Sequence, residues 1–188
     1  MIVLASRSPQ RRALLTAMGV PFRVVVSGVE EGDDPLRNAC AKARDVAARA
    51  GIPPGGAVLG ADTAVILDDA VLGKPADAAA ARAMLAALAG RDHAVHTAVC
   101  VITQTSRERA ETDRTRVRFR PLPDAAIDWY LGTGEWRERA GAYAIQGAGA
   151  ALVEAVEGDY TTVVGLPVGL TLRLLDEAGL APWSAPGM

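Results

Sequence analysis

Long apolar runs alternate with segments of helical periodicity, and this alternation predicts an α/β protein. Apolar residues fill the run from Ala57 to Leu67 almost without interruption, and a second run extends from Ala94 to Thr103. Such runs are typical of strands that are covered on both faces. Ile2–Ala5 is a shorter run of the same kind, and Phe22–Val26 is the next predicted strand. We therefore expect a sheet with layers on both sides.

The segments between the runs carry the start and stop signals of helices. Ser8 followed by Pro9 is an N-cap with a proline in the first turn, and Gly19 ends that helix. Asp77 caps a later helix rich in Ala, Leu and Met, which Gly90 ends. The predicted helices cover residues 9–18, 36–50, 78–89, 124–131 and 167–178.

Two further strands complete the predicted sheet. Thr115, Val117 and Phe119 alternate with arginines, which predicts a strand with one solvated, basic face. Ala150–Val156 is the last predicted strand. Because strands and helices mix without a linker, we expect one α/β domain over residues 1–188, with a mixed sheet and flanking helices. The residues after about 181 are expected to form a frayed tail.

Charge and composition exclude several classes of protein. The 188 residues hold 20 Lys and Arg against 22 Asp and Glu, so the chain lacks the basic field that holds nucleic acid. No run approaches the roughly 18 apolar residues that span a bilayer, so we expect a cytoplasmic protein without a membrane partner. The two cysteines, Cys40 and Cys100, provide neither a disulfide framework nor a four-ligand zinc site.

Asp62 is the most unusual polar residue because it lies in the middle of the most apolar run. An ionised carboxylate is unfavourable there unless a cation or several N–H groups meet it. It is either a metal ligand or general base, or a carboxylate that caps a neighbouring loop. Lys74 lies in a Gly-Lys-Pro turn from which it can reach the same end of the sheet, although the sequence alone favours a surface position.

Other charged residues allow a functional and a purely structural interpretation. The helix start at 6–12 combines free backbone N–H groups, two hydroxyls and three arginines, which suits a polyphosphate. It is also compatible with an ordinary capped helix. Glu30 and Glu31 lie in an acidic loop that can supply a carboxylate to a cation or be merely solvated. The chain has no P-loop motif.

Seven segments in order resemble the motifs of the Maf family of nucleoside triphosphate pyrophosphatases, which are also described as septum-formation inhibitor proteins. The similarity extends over about residues 2 to 178. The segments are Leu4–Arg11, Val29–Glu31, Ala41–Ala43, Gly60–Thr63, Gly73–Pro75, Ala140–Gly147 and Gly158–Pro167.

This resemblance implies an inosine-triphosphatase-like α/β fold with a twisted mixed sheet and a cleft between two lobes. It also implies hydrolysis of a nucleoside triphosphate to the monophosphate and pyrophosphate, with Mg²⁺ or Mn²⁺ as cofactor. By motif position, Asp62 is the proton acceptor and a metal ligand, and Glu30 is the second acidic ligand. The remaining residues neutralise or line the triphosphate, namely Lys42, Lys74, Ser8 and Arg11.

The form of two motifs is similar to the subgroup that acts on dTTP and UTP in house-cleaning of nucleotide pools. Thr63 follows the aspartate, and Gln146 carries an amide that can pair with a pyrimidine edge. Gln10 occupies a position where that subgroup usually has arginine, so modified purine nucleotides stay open as substrates. The alternative function is a nucleotide-binding regulator of septation with vestigial catalysis. The family resemblance is compatible with a homodimer, for which residues 129–131 are a candidate interface.

Overall fold

A computed structural model of the chain describes residues 1–105 and 107–184. The strands are β1 (Ile2–Leu4), β2 (Phe22–Val24), β3 (Ala57–Leu67), β4 (Ala70–Leu72), β5 (Asp92–Thr103), β6 (Glu108–Phe119) and β7 (Val153–Glu157). The α-helices are α1 (Pro9–Ala17), α2 (Pro35–Ala50), α3 (Ala78–Leu88), α4 (Asp124–Thr133), α5 (Tyr160–Val164) and α6 (Val168–Glu177). Short 3₁₀ helices cover Ala140–Ala142, Gly147–Leu152 and Pro182–Ser184.

The strands form a mixed sheet in the order β2-β1-β3-β5-β6-β7, and β4 pairs with β3. β1 runs parallel to both β2 and β3, whereas the pairs β3 with β4 and β6 with β7 are antiparallel. The predicted α/β class with a mixed sheet and flanking helices is confirmed. The bounds predicted for β3 are those observed, and nearly all of its residues are buried. The single-domain assignment and the cleft stay predictions.

The chain divides into two compact units, of which the first comprises residues 1–62, 97–113 and the segment from 165 onward. On one face of its sheet, Leu15 of α1 and Leu174 of α6 pack on β1 and β3. On the other face, the small side chains of α2 pack on the same strands. Gly60 of β3 permits this close packing, because a Cβ there would lie 3.0 Å from Cβ of Ala43 and would strike the carbonyl oxygen of Ala39.

The second unit comprises residues 63–96 and 114–164 and has its own apolar core. Leu85 of α3 and Tyr130 of α4 lie in this core together with Phe119 of β6. Within the predicted interface segment 129–131, Tyr130 is fully buried and therefore not available to a partner, whereas Trp129 is 52% exposed. Homodimerisation stays a prediction.

The structure corrects the start of the last strand. Residues 150–152 do not extend β7, because they complete the 3₁₀ helix Gly147–Leu152. Gly147 has a φ of +69°, and the carboxylate of Glu135 accepts hydrogen bonds from the backbone N–H groups of Ala148 and Gly149. These bonds satisfy donors that a strand would direct to its neighbour. The short helix α5 was not predicted from the sequence.

Of the expected tail, Pro182–Ser184 forms a 3₁₀ turn in which the Trp183 indole N–H donates to Asp176, and residues 185–188 lie outside the described part. Across the described residues, no helix combines the length and apolar character needed to cross a membrane.

Candidate active site

The carboxylate of Asp62 is held by two side chains of α2. Its side chain is only 11% exposed. Oδ1 accepts a hydrogen bond from Nζ of Lys42 at 2.6 Å, and Oδ2 accepts one from Nδ2 of Asn38 at 2.8 Å. The prediction that this buried carboxylate is paired is confirmed. The pairing brings together Asp62 and Lys42, two of the residues that the family motifs indicated.

The local sequence explains why these side chains meet. Asn38 and Lys42 are four residues apart and therefore lie on the same face of α2. Asp34 caps that helix by accepting from the backbone N–H groups of Leu36 and Arg37, which fixes where the first turn begins. Gly60, two residues before Asp62, lets this face of the helix approach β3 closely.

The acidic loop is fastened to the same helix. The Asn38 amide donates to the carbonyl oxygen of Gly32 at 2.7 Å and accepts from its N–H at 2.9 Å. This clamp places Oε1 of Glu31 at 2.6 Å from Nζ of Lys42. Glu30 is exposed. Of the two glutamates considered from the sequence, the one that contacts the lysine is Glu31.

Asn38 is a residue that sequence reasoning missed. Its one available signal is a polar amide among the apolar positions of α2, one turn before Lys42. A single such residue in an Ala-rich helix is equally compatible with a surface position, so the sequence alone does not distinguish Asn38 from a surface residue. In the structure it is 7% exposed and connects the acidic loop to Asp62.

The charges of this cluster do not cancel. One lysine is shared by two carboxylates, Asp62 and Glu31, so the three groups together carry one net negative charge. Oδ1 of Asp62 and Oε1 of Glu31 are both 2.6 Å from the same Nζ, and the two oxygens are therefore within roughly 5 Å of each other. Mg²⁺ prefers one or two carboxylates together with water and substrate phosphates. The donor set fits a hard divalent cation.

The start of α1 lies at the same edge of β1 and β3. Ser8 is the N-cap, and its Oγ accepts from the N–H of Arg11 at 3.4 Å and donates to Oε1 of Gln10 at 3.2 Å. The Arg11 guanidinium donates to the carbonyl oxygen of Ala61 at 2.9 Å, to that of Gly165 at 2.7 Å and to the Ser6 hydroxyl at 3.1 Å. Arg11 thus anchors α1 to the residue that precedes Asp62.

The other predicted site residues belong to the second unit. Thr63 is half-buried and follows Asp62 on β3. Lys74 is exposed in the turn after β4, where the carbonyl oxygen of Gly73 accepts from the N–H of Gly141 at 3.1 Å. Gln146 is exposed immediately before the 3₁₀ helix that Glu135 caps. Glu135 is a second residue that sequence reasoning missed.

The chain is similar over nearly its whole length to one family of known proteins. Residues 1–178 match the family described as Maf-like protein. A dTTP/UTP pyrophosphatase of Anaeromyxobacter dehalogenans is 49% identical, with 98% of each chain covered, and one of Thermus thermophilus is 49% identical, with 96% of each covered.

A solved nucleoside-triphosphatase from Mycobacterium abscessus aligns at 24% identity with a TM-score of 0.47, over 65% of this chain and 75% of that one. The match to the family over nearly the whole length, and the seven motifs that meet it in order, establish that this chain belongs to the Maf family.

Proposed function

We propose that this protein is a dTTP/UTP pyrophosphatase that hydrolyses dTTP, UTP and modified pyrimidine relatives to the monophosphate and pyrophosphate. Its house-cleaning role would be to remove such nucleotides from the pool. Near full-length relatives with 49% identity are named dTTP/UTP pyrophosphatases, which supports the reaction and the substrate class. The observation that carries the proposal is the buried Asp62 carboxylate, which two side chains of α2 hold in place.

Asp62 is the group that we assign as proton acceptor for the attacking water. Hydrolysis to these products breaks a bond of the oxygen that bridges the α- and β-phosphates, and it requires a water that loses a proton as it attacks. A carboxylate positioned by Asn38 and Lys42 can orient such a water and receive its proton. Because both partners are fixed on one helical face, the carboxylate needs little reorganisation during the reaction.

Cationic side chains balance the charge of the triphosphate in this proposal. Lys42 already contacts two carboxylates, and Lys74 is exposed and carries a second positive charge. Cations at the phosphates stabilise the charge that develops on the transferring and leaving oxygens.

A divalent cation is the cofactor that the donor set fits, and Asp62 together with a glutamate of the acidic loop would hold it. When bound, Mg²⁺ or Mn²⁺ neutralises phosphate charge and lowers the pKa of a bound water. We assign Glu31 as that glutamate because it is fastened beside Asp62, and we keep Glu30 as the alternative.

We assign substrate recognition to Ser8 and Gln10 of the first unit and to Thr63 and Gln146 of the second. Ser8 and Gln10 lie at the start of α1, where backbone N–H groups favour an anion. The family resemblance implies that Arg11 lines the triphosphate. We assign it a positioning role instead, because its N–H groups donate to the carbonyl oxygens of Gly165 and Ala61, the second of which precedes Asp62. Thr63 and Gln146 are proposed to contribute to the preference for a pyrimidine base.

Pyrophosphate release tests the proposal. The purified chain would be given dTTP, UTP, CTP, dATP, ITP and 7-methyl-GTP with Mg²⁺ or Mn²⁺. Asp62→Asn is the test variant, and Asp69→Asn is the matched control because Asp69 is exposed in a turn and Asn tolerates its positive φ. We expect turnover of dTTP and UTP by the wild-type chain and by Asp69→Asn. Binding without turnover on every substrate would favour the regulator instead.

A further inference from the structure

Three potential metal ligands meet in the first unit, outside the cluster around Asp62. Sγ of Cys40, Sγ of Cys100 and a carboxylate oxygen of Glu108 all lie within 4.8 Å of one another. They come from α2, β5 and β6 respectively, so the fold itself brings them together. The proposed pyrophosphatase reaction uses none of them.

The carboxylate of this cluster is held by an arginine. Sγ of Cys40 lies within 4.8 Å of both Sγ of Cys100 and a carboxylate oxygen of Glu108. Arg44, one turn after Cys40, binds the Glu108 carboxylate in a bidentate manner through Nε at 2.8 Å and Nη2 at 2.7 Å. The carboxylate is therefore fixed in orientation while it faces the sulfur atoms.

We propose that Cys40, Cys100 and Glu108 bind one thiophilic divalent cation such as Zn²⁺. Two sulfurs and a carboxylate oxygen are ligands that Zn²⁺ accepts, with water as the fourth ligand. In a tetrahedral site with Zn–S bonds of about 2.3 Å, the two sulfurs are separated by roughly 3.8 Å. Small side-chain rotations bring atoms that lie within 4.8 Å to that spacing.

Charge balance favours the replacement of two thiol protons by one divalent cation. Burial raises the pKa of both thiols, and the hydrogen bonds from Arg44 lower that of the Glu108 carboxyl, so the unliganded cluster holds two S–H groups and one carboxylate. On binding, both S–H bonds break, each sulfur uses its electron pair to bond the cation, and two protons leave to solvent. One dication replaces two protons, so the cluster keeps its net charge of minus one and its pairing with Arg44.

A cation bound at this site would tether α2, the helix that carries Asn38 and Lys42 of the candidate active site, to the sheet. Cys40 lies on α2 between Asn38 and Lys42, and the cation would bond it to β5 and β6 in addition to the apolar packing. A ligand that binds only the folded chain raises its stability. We therefore expect Zn²⁺ to raise the Tm.

A cadmium titration of the reduced, metal-free, full-length protein tests the proposal, because only thiolate ligands give the ultraviolet charge-transfer band. We expect the band to saturate at one Cd²⁺ per chain, with release of two protons in weakly buffered solution. The double variant Cys40→Ala/Cys100→Ala should lose the band and the Zn²⁺-dependent rise in Tm. Asp62→Asn should keep both, because its carboxylate belongs to the other cluster.

Glu108→Gln keeps both thiols and provides a second variant whose folding does not depend on replacing buried cysteines. We expect its Cd²⁺ affinity to fall by about tenfold or more, in line with the effect of altering groups around a metal. The proposal is overturned if the wild-type chain shows no band, or if the band appears without proton release. A band of equal affinity in Glu108→Gln would remove the carboxylate from the site.

Discussion

Replacing Lys42 by Met tests the electrostatic description of the candidate site most sharply. The substitution leaves an unbranched side chain that is one atom shorter and removes the charge that Asp62 and Glu31 share. Among the described residues, the Asn38 amide is then the remaining side-chain partner of the buried Asp62 carboxylate, and breaking a buried pair in this way costs about 3–5 kcal/mol. Glu31 is 39% exposed and its contribution is screened, so it adds at most about 1 kcal/mol.

Replacing the other member of the pair, in Asp62→Asn, is expected to lower the free energy of unfolding by less. In Asp62→Asn the lysine keeps its contact with Glu31, and the new amide can still hydrogen-bond to Asn38. We expect that variant to lose about 1.5–3 kcal/mol, the contribution of a hydrogen bond to a charged group. The double variant Lys42→Met/Asp62→Asn removes the unpaired carboxylate and should be more stable than Lys42→Met alone.

Urea unfolding of the four proteins measures these differences. With a slope of about 2 kcal/mol per M, Lys42→Met should lower the midpoint by about 1.5–3 M. The double-mutant cycle should give a coupling of about 1–3 kcal/mol between the two positions. A coupling within about 0.3 kcal/mol of zero would refute the reasoning, because it would mean that the two charges do not stabilise one another.

Three further predictions follow from individual contacts. Glu31→Gln should reduce pyrophosphate release more than Glu30→Gln does, because Glu31 contacts Lys42, which also binds Asp62. Steady-state rates over a range of Mg²⁺ concentrations compare the two variants. A larger loss in Glu30→Gln would assign the metal-binding role to Glu30. Gly60→Ala should lower the free energy of unfolding by about 1–3 kcal/mol by overpacking α2 on β3; a urea midpoint unchanged from wild type would contradict this. Burial lowers the pKa of His93 to about 4, so the unfolded chain binds this proton first and stability should fall by up to about 3 kcal/mol as the pH drops from 6.5 to 4. His93→Gln should lack that part of the pH dependence in denaturation curves, and equal pH slopes in the two proteins would count against it.

The sequence predicted the fold best where one physical pattern dominated. β3 is apolar on both faces, so its bounds were readable without any knowledge of its neighbours. The 3₁₀ helix Gly147–Leu152 was mistaken in part for a strand, because its stability depends on the distant carboxylate of Glu135. The sequence of a helix does not reveal a capping group that comes from a distant segment of the chain.

In the candidate site, too, local sequence predicted some features, whereas others depend on contacts between distant segments. An isolated carboxylate in an apolar strand requires partners, so pairing of Asp62 followed from its position alone. The identity of one partner, Asn38, and the choice of Glu31 over Glu30 depend on how the acidic loop folds back onto α2. The thiol cluster was hidden for a similar reason, since Cys40 and Cys100 lie on different elements that only the sheet brings together.

Asp62 is the residue that we assign as proton acceptor of a dTTP/UTP pyrophosphatase, and the rate of pyrophosphate release from dTTP and UTP tests this assignment directly. With Mg²⁺ or Mn²⁺ present, wild type and Asp69→Asn should turn over both nucleotides at similar rates. Asp62→Asn should be slower by about 10²–10⁴-fold, the usual contribution of a general base. Turnover by Asp62→Asn at the wild-type rate, in a protein that is folded at the assay temperature, would contradict the account.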